Sequence, residues 1–270
     1  MINADLSFDE YRAIEAINAS QYKEHYNSST EQILESMKVE RKASKAMDLG
    51  TVIHSVVLEP DLPMDDVAVW SGGHKRGKAW TEFKEDNDGR LIITQEQMDA
   101  LPVIAENVHK DKDARRLLAE STREVTLEWV ADCGANCKAR LDILNDGGML
   151  LSDVKTMEYI NKFKFWSQVD RMGYWLQAGH YIDGAIKCYD LRCNPEFWFL
   201  CIETKPPYSV ICRPMSGEYL EFARREAHKM VTKIHIAHVT GSIETLADKE
   251  GIEEIPMPKK HKQDLEIKFG

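Results

Sequence analysis

The sequence lacks long apolar runs, closely spaced cysteine pairs and any excess of positive charge. No stretch approaches the roughly 18 to 20 apolar residues that a membrane-spanning helix needs. The first ten residues, MINADLSFDE, contain no apolar segment, which argues against a secretory leader. Hydrophobic residues make up 43% of the 270 residues and charged residues 30%, as in ordinary globular proteins. We therefore expect a cytoplasmic protein with no membrane partner, folded as one domain over residues 1–270, with a largely polar tail at 241–270.

The cysteine and charge patterns exclude further classes of protein. The six cysteines include no C-x-x-C pair, so the sequence predicts neither a zinc nor an iron–sulfur site. Without a secretory leader, we expect them to be reduced thiols. The formal net charge of −10 argues against nonspecific binding of polyanions. Residues 138–171 are a local exception, because their six basic and five acidic residues would become clearly positive if bound cations neutralised Asp142 and Asp153.

Hydrophobic periodicity predicts helices at both ends of the chain. Residues 1–60 are predicted to be mostly helical, and Pro60 ends a helix that contains His54. Residues 61–95 are predicted to be rich in loops. Helical spacing returns at 94–120, 160–188 and from Ser216 to about His238, before Gly241.

Alternation with a period of two predicts a sheet in the middle of the chain. Residues 124–131, 137–144 and 149–156 read as three antiparallel strands, with Ala139, Leu141 and Ile143 on one face of the second. Further strands are predicted at 196–203 and 208–213. Helices on both sides of these strands indicate an α/β or α+β domain.

Two aspartates and a lysine fall on the second and third predicted strands. If the turn signal Asp146-Gly147-Gly148 forms a two-residue loop, Asp142 lies directly opposite Asp153. A four-residue loop pairs Asp142 with Leu151 instead and leaves Asp153 as a diagonal neighbour on the same face. An odd-length loop would place the two acids on opposite faces.

The chemistry of this group favours a metal site. Two neighbouring carboxylates repel each other unless a cation lies between them, and hard divalent cations prefer carboxylate oxygens. Lys155 projects from the same face as Asp153, where an ammonium group can orient a water molecule. The pattern D…(D/E)-x-K therefore fits metal-assisted hydrolysis of a phosphodiester. A surface hairpin with ion pairs Asp142–Arg140 and Asp153–Lys155 also explains so short a motif.

Further residues extend the pattern in a fixed order along the chain. His54 follows Gly50 by one helical turn, and Gln177 and Tyr181 share one helical face at i and i+4. The ordered motifs are Gly50-x3-His54-x4-Glu59-Pro60, Glu124, Asp142, Asp153-Val154-Lys155-Thr156 and Gln177-x3-Tyr181. Over residues 5–235 this set resembles the RecB-like branch of the PD-(D/E)xK nucleases, and within it the RecE-like (exonuclease VIII) family of phage and prophage recombination exonucleases.

The resemblance implies a fold and an activity. The fold would be an α/β restriction-endonuclease-like domain, with a central mixed β-sheet flanked by helices. The activity would be that of a Mg²⁺-dependent, ATP-independent exodeoxyribonuclease with two ions per site, for which Mn²⁺ substitutes. It would resect linear double-stranded DNA 5′→3′, releasing 5′-mononucleotides and leaving 3′ single-stranded overhangs. The implied partners are linear duplex DNA, a RecT-type single-strand annealing protein and further copies of the chain, in a ring of three or four subunits.

The resemblance also assigns roles to residues. His54, Asp142, Asp153 and the Val154 carbonyl would bind metal, Lys155 would position the attacking water, and Gln177 and Tyr181 would contact DNA or brace the site; Glu124 receives no definite role. The candidate DNA contacts are Lys138, Arg140, Thr156, Lys162, Lys164, Arg171, Lys75 and Arg76. We expect four nearby aromatic side chains to pack in the core rather than stack on bases: Phe163, Phe165, Trp166 and Trp175.

Two alternatives to this activity stay open at the level of the sequence. One is another nuclease of the same superfamily, either structure-specific or endonucleolytic. The other is a catalytically inactive DNA-binding protein, which the intact set of Asp142, Asp153 and Lys155 disfavours.

Overall fold

A mixed six-stranded sheet forms the centre of the molecule. The structure is a computed structural model and describes residues 1–38, 45–61, 63–145 and 147–251. The sheet has the strand order β1-β4-β5-β6-β7-β8, and β2 pairs with β3 in a separate small sheet. The strands are β1 (Ile2–Asn3), β2 (Val67–Trp70), β3 (Leu91–Thr94), β4 (Ser121–Val130), β5 (Asn136–Asn145), β6 (Leu150–Met157), β7 (Glu196–Glu203) and β8 (Val210–Pro214). The α-helices are α1 (Phe8–Ala13), α2 (Thr30–Lys38), α3 (Lys45–Leu58), α4 (Lys78–Asp86), α5 (Gln95–Lys110), α6 (Lys112–Leu118), α7 (Lys162–Arg171), α8 (Tyr174–Tyr189), α9 (Gly217–Thr240) and α10 (Leu246–Glu250).

Two layers of helices enclose this sheet. Side chains of α8 and α9 pack on one face with Leu141 and Phe199, whereas side chains of α3, α5 and α6 pack on the other face with Val154 and Leu200. All neighbouring strands of the central sheet are antiparallel except β6 and β7, which α7 and α8 connect. The predicted α/β fold with a mixed sheet between helices is confirmed. Within the described ranges, no helix has both the length and the apolar character needed to cross a bilayer.

The long helix expected at 160–188 is two helices, because Gly173 interrupts it. Gly173 adopts a left-handed backbone with φ of 59° and directly precedes α8. A Cβ atom at this position would lie 1.8 Å from the carbonyl oxygen of Lys23, so only glycine allows this approach. The break lets α7 and α8 take separate directions while the Lys23 segment rests against the start of α8.

Residues 61–95 are more regular than expected. They contain the parallel strands β2 and β3 with α4 between them. Four residues in each strand are too few for a clear alternation, and Ile93 is fully buried against the α3 side of the molecule. Thr94 is the N-cap of α5, since its side chain accepts a hydrogen bond from the Gln97 amide. Asp111 then caps a second helix, which splits the predicted helical region.

The three predicted antiparallel strands at the centre are confirmed, but β5 does not keep one face throughout. Leu141 packs on the α8 side of the sheet and Ile143 on the α3 side, although both were expected on one face. The change occurs at Asp142, where the neighbouring strand carries Glu124 with φ of 53°. A left-handed residue interrupts the pleat, so the alternation shifts at this level. The turn residue Asp146 and residues 252–270 of the predicted tail lie outside the described residues, and residues 246–250 of that tail form α10.

Candidate metal and active site

The ladder between β5 and β6 opens where the two aspartates lie. Its register pairs are Ile143↔Ser152 and Leu144↔Leu151, and the ladder does not extend to Asp142 and Asp153. The offset of these two pairs is that of the first of the two registers considered from the sequence. Next to these pairs, the Val154 amide donates a hydrogen bond to Asp142 Oδ2 at 2.6 Å. This hydrogen bond holds the Asp142 carboxylate at the opening between β5 and β6.

Glu124 joins this group from the other side of β5. The pairs Arg123↔Ile143 and Val125↔Leu141 place it beside Asp142. Its left-handed backbone costs on the order of 1–3 kcal/mol for a residue other than glycine, and such strain is concentrated at functional sites. Oxygens of Glu124 and Asp142 and a ring nitrogen of His54 all lie within 4.8 Å of one another. Sequence reasoning gave Glu124 no definite role, although the β4–β5 register places it next to an expected ligand.

His54 reaches the same point from α3. Gly50 allows α3 to approach β6, since a Cβ atom there would lie 3.2 Å from Thr156 Oγ1. His54 Nε2 lies 3.0 Å from the Val154 carbonyl oxygen, and Nδ1 lies 3.7 Å from Asp142 Oδ2. Burial lowers the pKa of His54, so the imidazole is neutral and carries a single N–H. The nitrogen without a proton therefore faces an oxygen atom with its lone pair, which is unfavourable. A cation between this nitrogen and the oxygen would remove the repulsion.

Asp153 enters the opening from β6 and is held by α8. Gln177 Nε2 donates to Asp153 Oδ1 and to the Tyr181 hydroxyl, both at 2.8 Å. Lys23 Nζ donates to Gln177 Oε1 at 2.8 Å. Because an ammonium can only donate, it fixes the orientation of the Gln177 amide, with Nε2 toward Asp153. The sequence pattern brought Gln177 and Tyr181 together correctly but contained no signal for Lys23, which lies 154 positions away.

Lys155 lies beside Asp153 on the same face of β6. Its ammonium forms an ion pair with Asp153 Oδ2 and lies 4.3 Å from the centroid of the Tyr174 ring. Burial by itself lowers the pKa of Lys155, but the Asp153 and Asp142 carboxylates outweigh it, and the pKa is raised. Lys155 is therefore a charged ammonium at neutral pH and a donor only.

The donor set fits a divalent cation. Burial, and after it the Asp153 carboxylate, raises the pKa of Asp142 well above its usual range. The buried Asp153 Oδ2 has the Lys155 ion pair but no well-directed hydrogen bond. When all three are ionised, Glu124, Asp142 and Asp153 exceed the two contacting cations, Arg140 and Lys155, by one negative charge, which a metal ion would neutralise. His54, Glu124 and Asp142 would hold such an ion, with Asp153 beside them. The Val154 carbonyl, the other expected ligand, lies 3.0 Å from His54 Nε2.

The expected DNA contacts fall into two groups. Lys138 and Arg140 are engaged within the protein: Lys138 Nζ donates to the carbonyls of Tyr11, Arg12 and Ile14, and Arg140 pairs with Glu124 at 2.7 Å. Thr156 is half-buried against Gly50. The exposed basic residues are Lys162, Lys164 and Arg171 on α7 and Arg76 after β2, while Lys75 is half-buried over the Trp80 ring.

The sheet with its split central strands and this D…D-x-K site defines a PDDEXK-like nuclease fold. Residues 18–243 match the model of the family described as "PDDEXK-like domain of unknown function (DUF3799)", and the chain belongs to that family. A crystal structure of a "Putative exonuclease" from Eubacterium rectale has a similar fold, with a TM-score of 0.61 and 16% sequence identity over 97% of this chain and 98% of that chain. No curated protein matches the sequence significantly.

Proposed function

We propose that the protein is a Mg²⁺-dependent, ATP-independent exodeoxyribonuclease of the RecE-like type, which resects linear double-stranded DNA 5′→3′ and leaves 3′ overhangs for strand annealing. The observation that carries this proposal is the meeting of Asp142, Asp153, Lys155 and His54 at the opening between β5 and β6. Membership of a PDDEXK-like family and the fold shared with a protein named as an exonuclease support it.

Each residue has a definite task in this reaction. A divalent cation bound there supplies Lewis-acid activation of the scissile phosphate and of water. The cation would be held by His54, Glu124 and Asp142. Gln177 keeps the Asp153 carboxylate in place through a hydrogen bond. Lys155, as a charged donor beside Asp153, orients the attacking water and offsets the negative charge that develops on the phosphate. Tyr174 covers the ammonium and excludes bulk water from one side of it.

Further features of the proposal concern cofactors and partners. Two Mg²⁺ ions per site, replaceable by Mn²⁺, would stabilise the attacking and the leaving oxygens. Release of 5′-mononucleotides, a ring of three or four copies and transfer of the overhang to a RecT-type annealing protein complete the role. These features rest on the motif order from Gly50 to Tyr181.

The test is digestion of 5′-phosphorylated linear duplex and of closed circular DNA in Mg²⁺. We expect mononucleotides from the linear DNA alone, and Lys155→Ala and Asp153→Ala to reduce the rate at least a thousandfold, about 4 kcal/mol of activation free energy. Lys187→Ala is the matched control, since it removes a lysine whose ion pair with Asp132 is outside the site. Full activity of a folded Lys155→Ala protein contradicts the proposal. Cutting of the closed circle would instead indicate an endonuclease of the same superfamily.

A further inference from the structure

The outer face of α7 exposes aromatic and basic side chains together. We refer to Lys162, Phe163, Lys164 and Trp166 as the α7 patch. Phe163 is 71% exposed and Trp166 52% exposed, contrary to the expectation that both pack in the core. Their rings meet edge to face at 5.8 Å, and Lys162 Nζ lies 4.6 Å from the centroid of the Trp166 ring. Large aromatic side chains grouped at the surface usually mark a binding site.

The inner side of the same helix is firmly anchored. Asn161 caps α7, because its side chain accepts hydrogen bonds from the amides of Phe163 and Lys164. Phe165 is buried and packs edge to face on Phe199 of β7, with 5.5 Å between the ring centroids. The α7 patch is therefore presented by a fixed helix, so binding to it requires little ordering of the backbone.

This anchor places the α7 patch near the candidate site. Phe199 is the direct register partner of Asp153 in the parallel pair β7–β6, so the two side chains share one face of the sheet. Strands lie about 4.8 Å apart, and a helix with its side chains is about 10–12 Å wide. The α7 patch consequently lies within about 20 Å of Asp153, a span of on the order of five or six stacked nucleotides at 3.4 Å each.

We propose that the α7 patch binds unpaired bases of the DNA substrate within about six nucleotides of the scissile phosphate, an inference that rests on the proposed function. Aromatic faces stack on any base without regard to sequence, and adjacent cations bind the backbone phosphates. The net positive charge of α7 is complementary to the negative charge of DNA, since the helix carries three basic residues and one acid: Lys162, Lys164, Arg171 and Asp170. Helix α7 is also the first helix after β6, the strand that carries Asp153 and Lys155.

The experiment measures binding without cleavage. Fluorescence anisotropy in EDTA compares a blunt duplex of about 20 base pairs with the same duplex carrying about six unpaired nucleotides. We expect wild-type protein to bind the tailed duplex more tightly, and the double variant Phe163→Ala/Trp166→Ala to lose about 5- to 150-fold of that preference for each base that stacked. The pair Phe163→Tyr/Trp166→Phe should keep the preference, because it retains aromatic faces. Phe222→Ala, which removes an exposed aromatic residue of α9, should leave it unchanged.

Two results would overturn the inference. One is an alanine double variant, folded by its melting temperature, that prefers the tailed duplex as strongly as wild type. The other is sedimentation showing that this variant separates into smaller species with unchanged DNA binding, which would assign the α7 patch to contacts between copies of the chain. Failure of the proposed function has a different signature, since wild-type protein would then not hydrolyse linear duplex in Mg²⁺ whatever the EDTA measurement shows.

Discussion

Two lysines of the central sheet, the buried Lys138 and the half-buried Lys155, have opposite surroundings. Lys138 on β5 donates to three main-chain carbonyls, and burial lowers its pKa. Lys155 on β6 faces carboxylates, which raise its pKa in spite of burial. Both side chains are largely shielded from solvent, but only Lys155 lies among more carboxylates than cations. A buried cation that binds neutral carbonyls stabilises the packing of the segments that carry them. A cation among an excess of carboxylates is typical of a site that binds a further ligand.

The same contrast extends to the two histidines. His180 Nδ1 accepts from the Tyr22 hydroxyl at 2.9 Å, and its Nε2 donates to the Lys138 carbonyl at 3.0 Å, so both ring nitrogens are satisfied. His54 has oxygen acceptors at both nitrogens and only one proton to offer. The cluster of Tyr22, Lys138 and His180 is complete without a ligand, and the cluster around His54 is not.

The largest effect on stability should come from exchanging the lysines for methionine. Lys138→Met removes an ammonium group that donates to the carbonyls of Tyr11, Arg12 and Ile14, and it should lower the free energy of unfolding by about 3–4 kcal/mol. Lys155→Met should cost about 1 kcal/mol or less in EDTA at pH 5, because the raised pKa of Asp142 favours its neutral form at low pH. Urea unfolding measures both. Equal losses in the two variants would remove the distinction between the clusters.

The next largest expected effect is the contribution of His180 to the pH dependence of the free energy of unfolding. Burial lowers its pKa to about 4, against 6.5 for an unperturbed imidazole. The unfolded chain therefore binds more protons between these values, and stability rises with pH through that window. The contribution is complete above pH 6.5 and is lost as the pH falls toward 4, at about 3 kcal/mol in all. The difference in unfolding free energy between wild type and His180→Asn should shrink over this range, and a constant difference would contradict the assignment.

The sequence predicted the half of the site that depends on local order. Alternation placed Asp142, Asp153 and Lys155 on adjacent strands, and the i, i+4 spacing joined Gln177 to Tyr181, because periodicity and register are short-range properties. Lys23, the carbonyls that Lys138 binds and the Leu6 carbonyl that Arg140 binds come from the first 25 residues and depend on tertiary packing that no local pattern encodes. The break at Gly173 escaped for the same reason, since it results from contact with the Lys23 carbonyl.

The smallest expected effect on stability is that of removing one charge from the carboxylates between β5 and β6. Asp142→Asn keeps an oxygen for the Val154 amide but removes one of the neighbouring charges, so the variant should be about 1 kcal/mol more stable than wild type in EDTA at pH 8. The gain should disappear near pH 4, because the raised pKa of Asp142 means that wild type is protonated there.

Millimolar Mg²⁺ or Mn²⁺ should raise the melting temperature of wild type and not that of the variant, since ligand binding stabilises only a protein that retains its site. Asp183→Asn, which changes an acid paired with Arg224 away from the site, is the control and should keep the metal response. A metal-dependent shift in Asp142→Asn equal to that of wild type would mean that the cation binds elsewhere, and the charge surplus between β5 and β6 would then need another explanation.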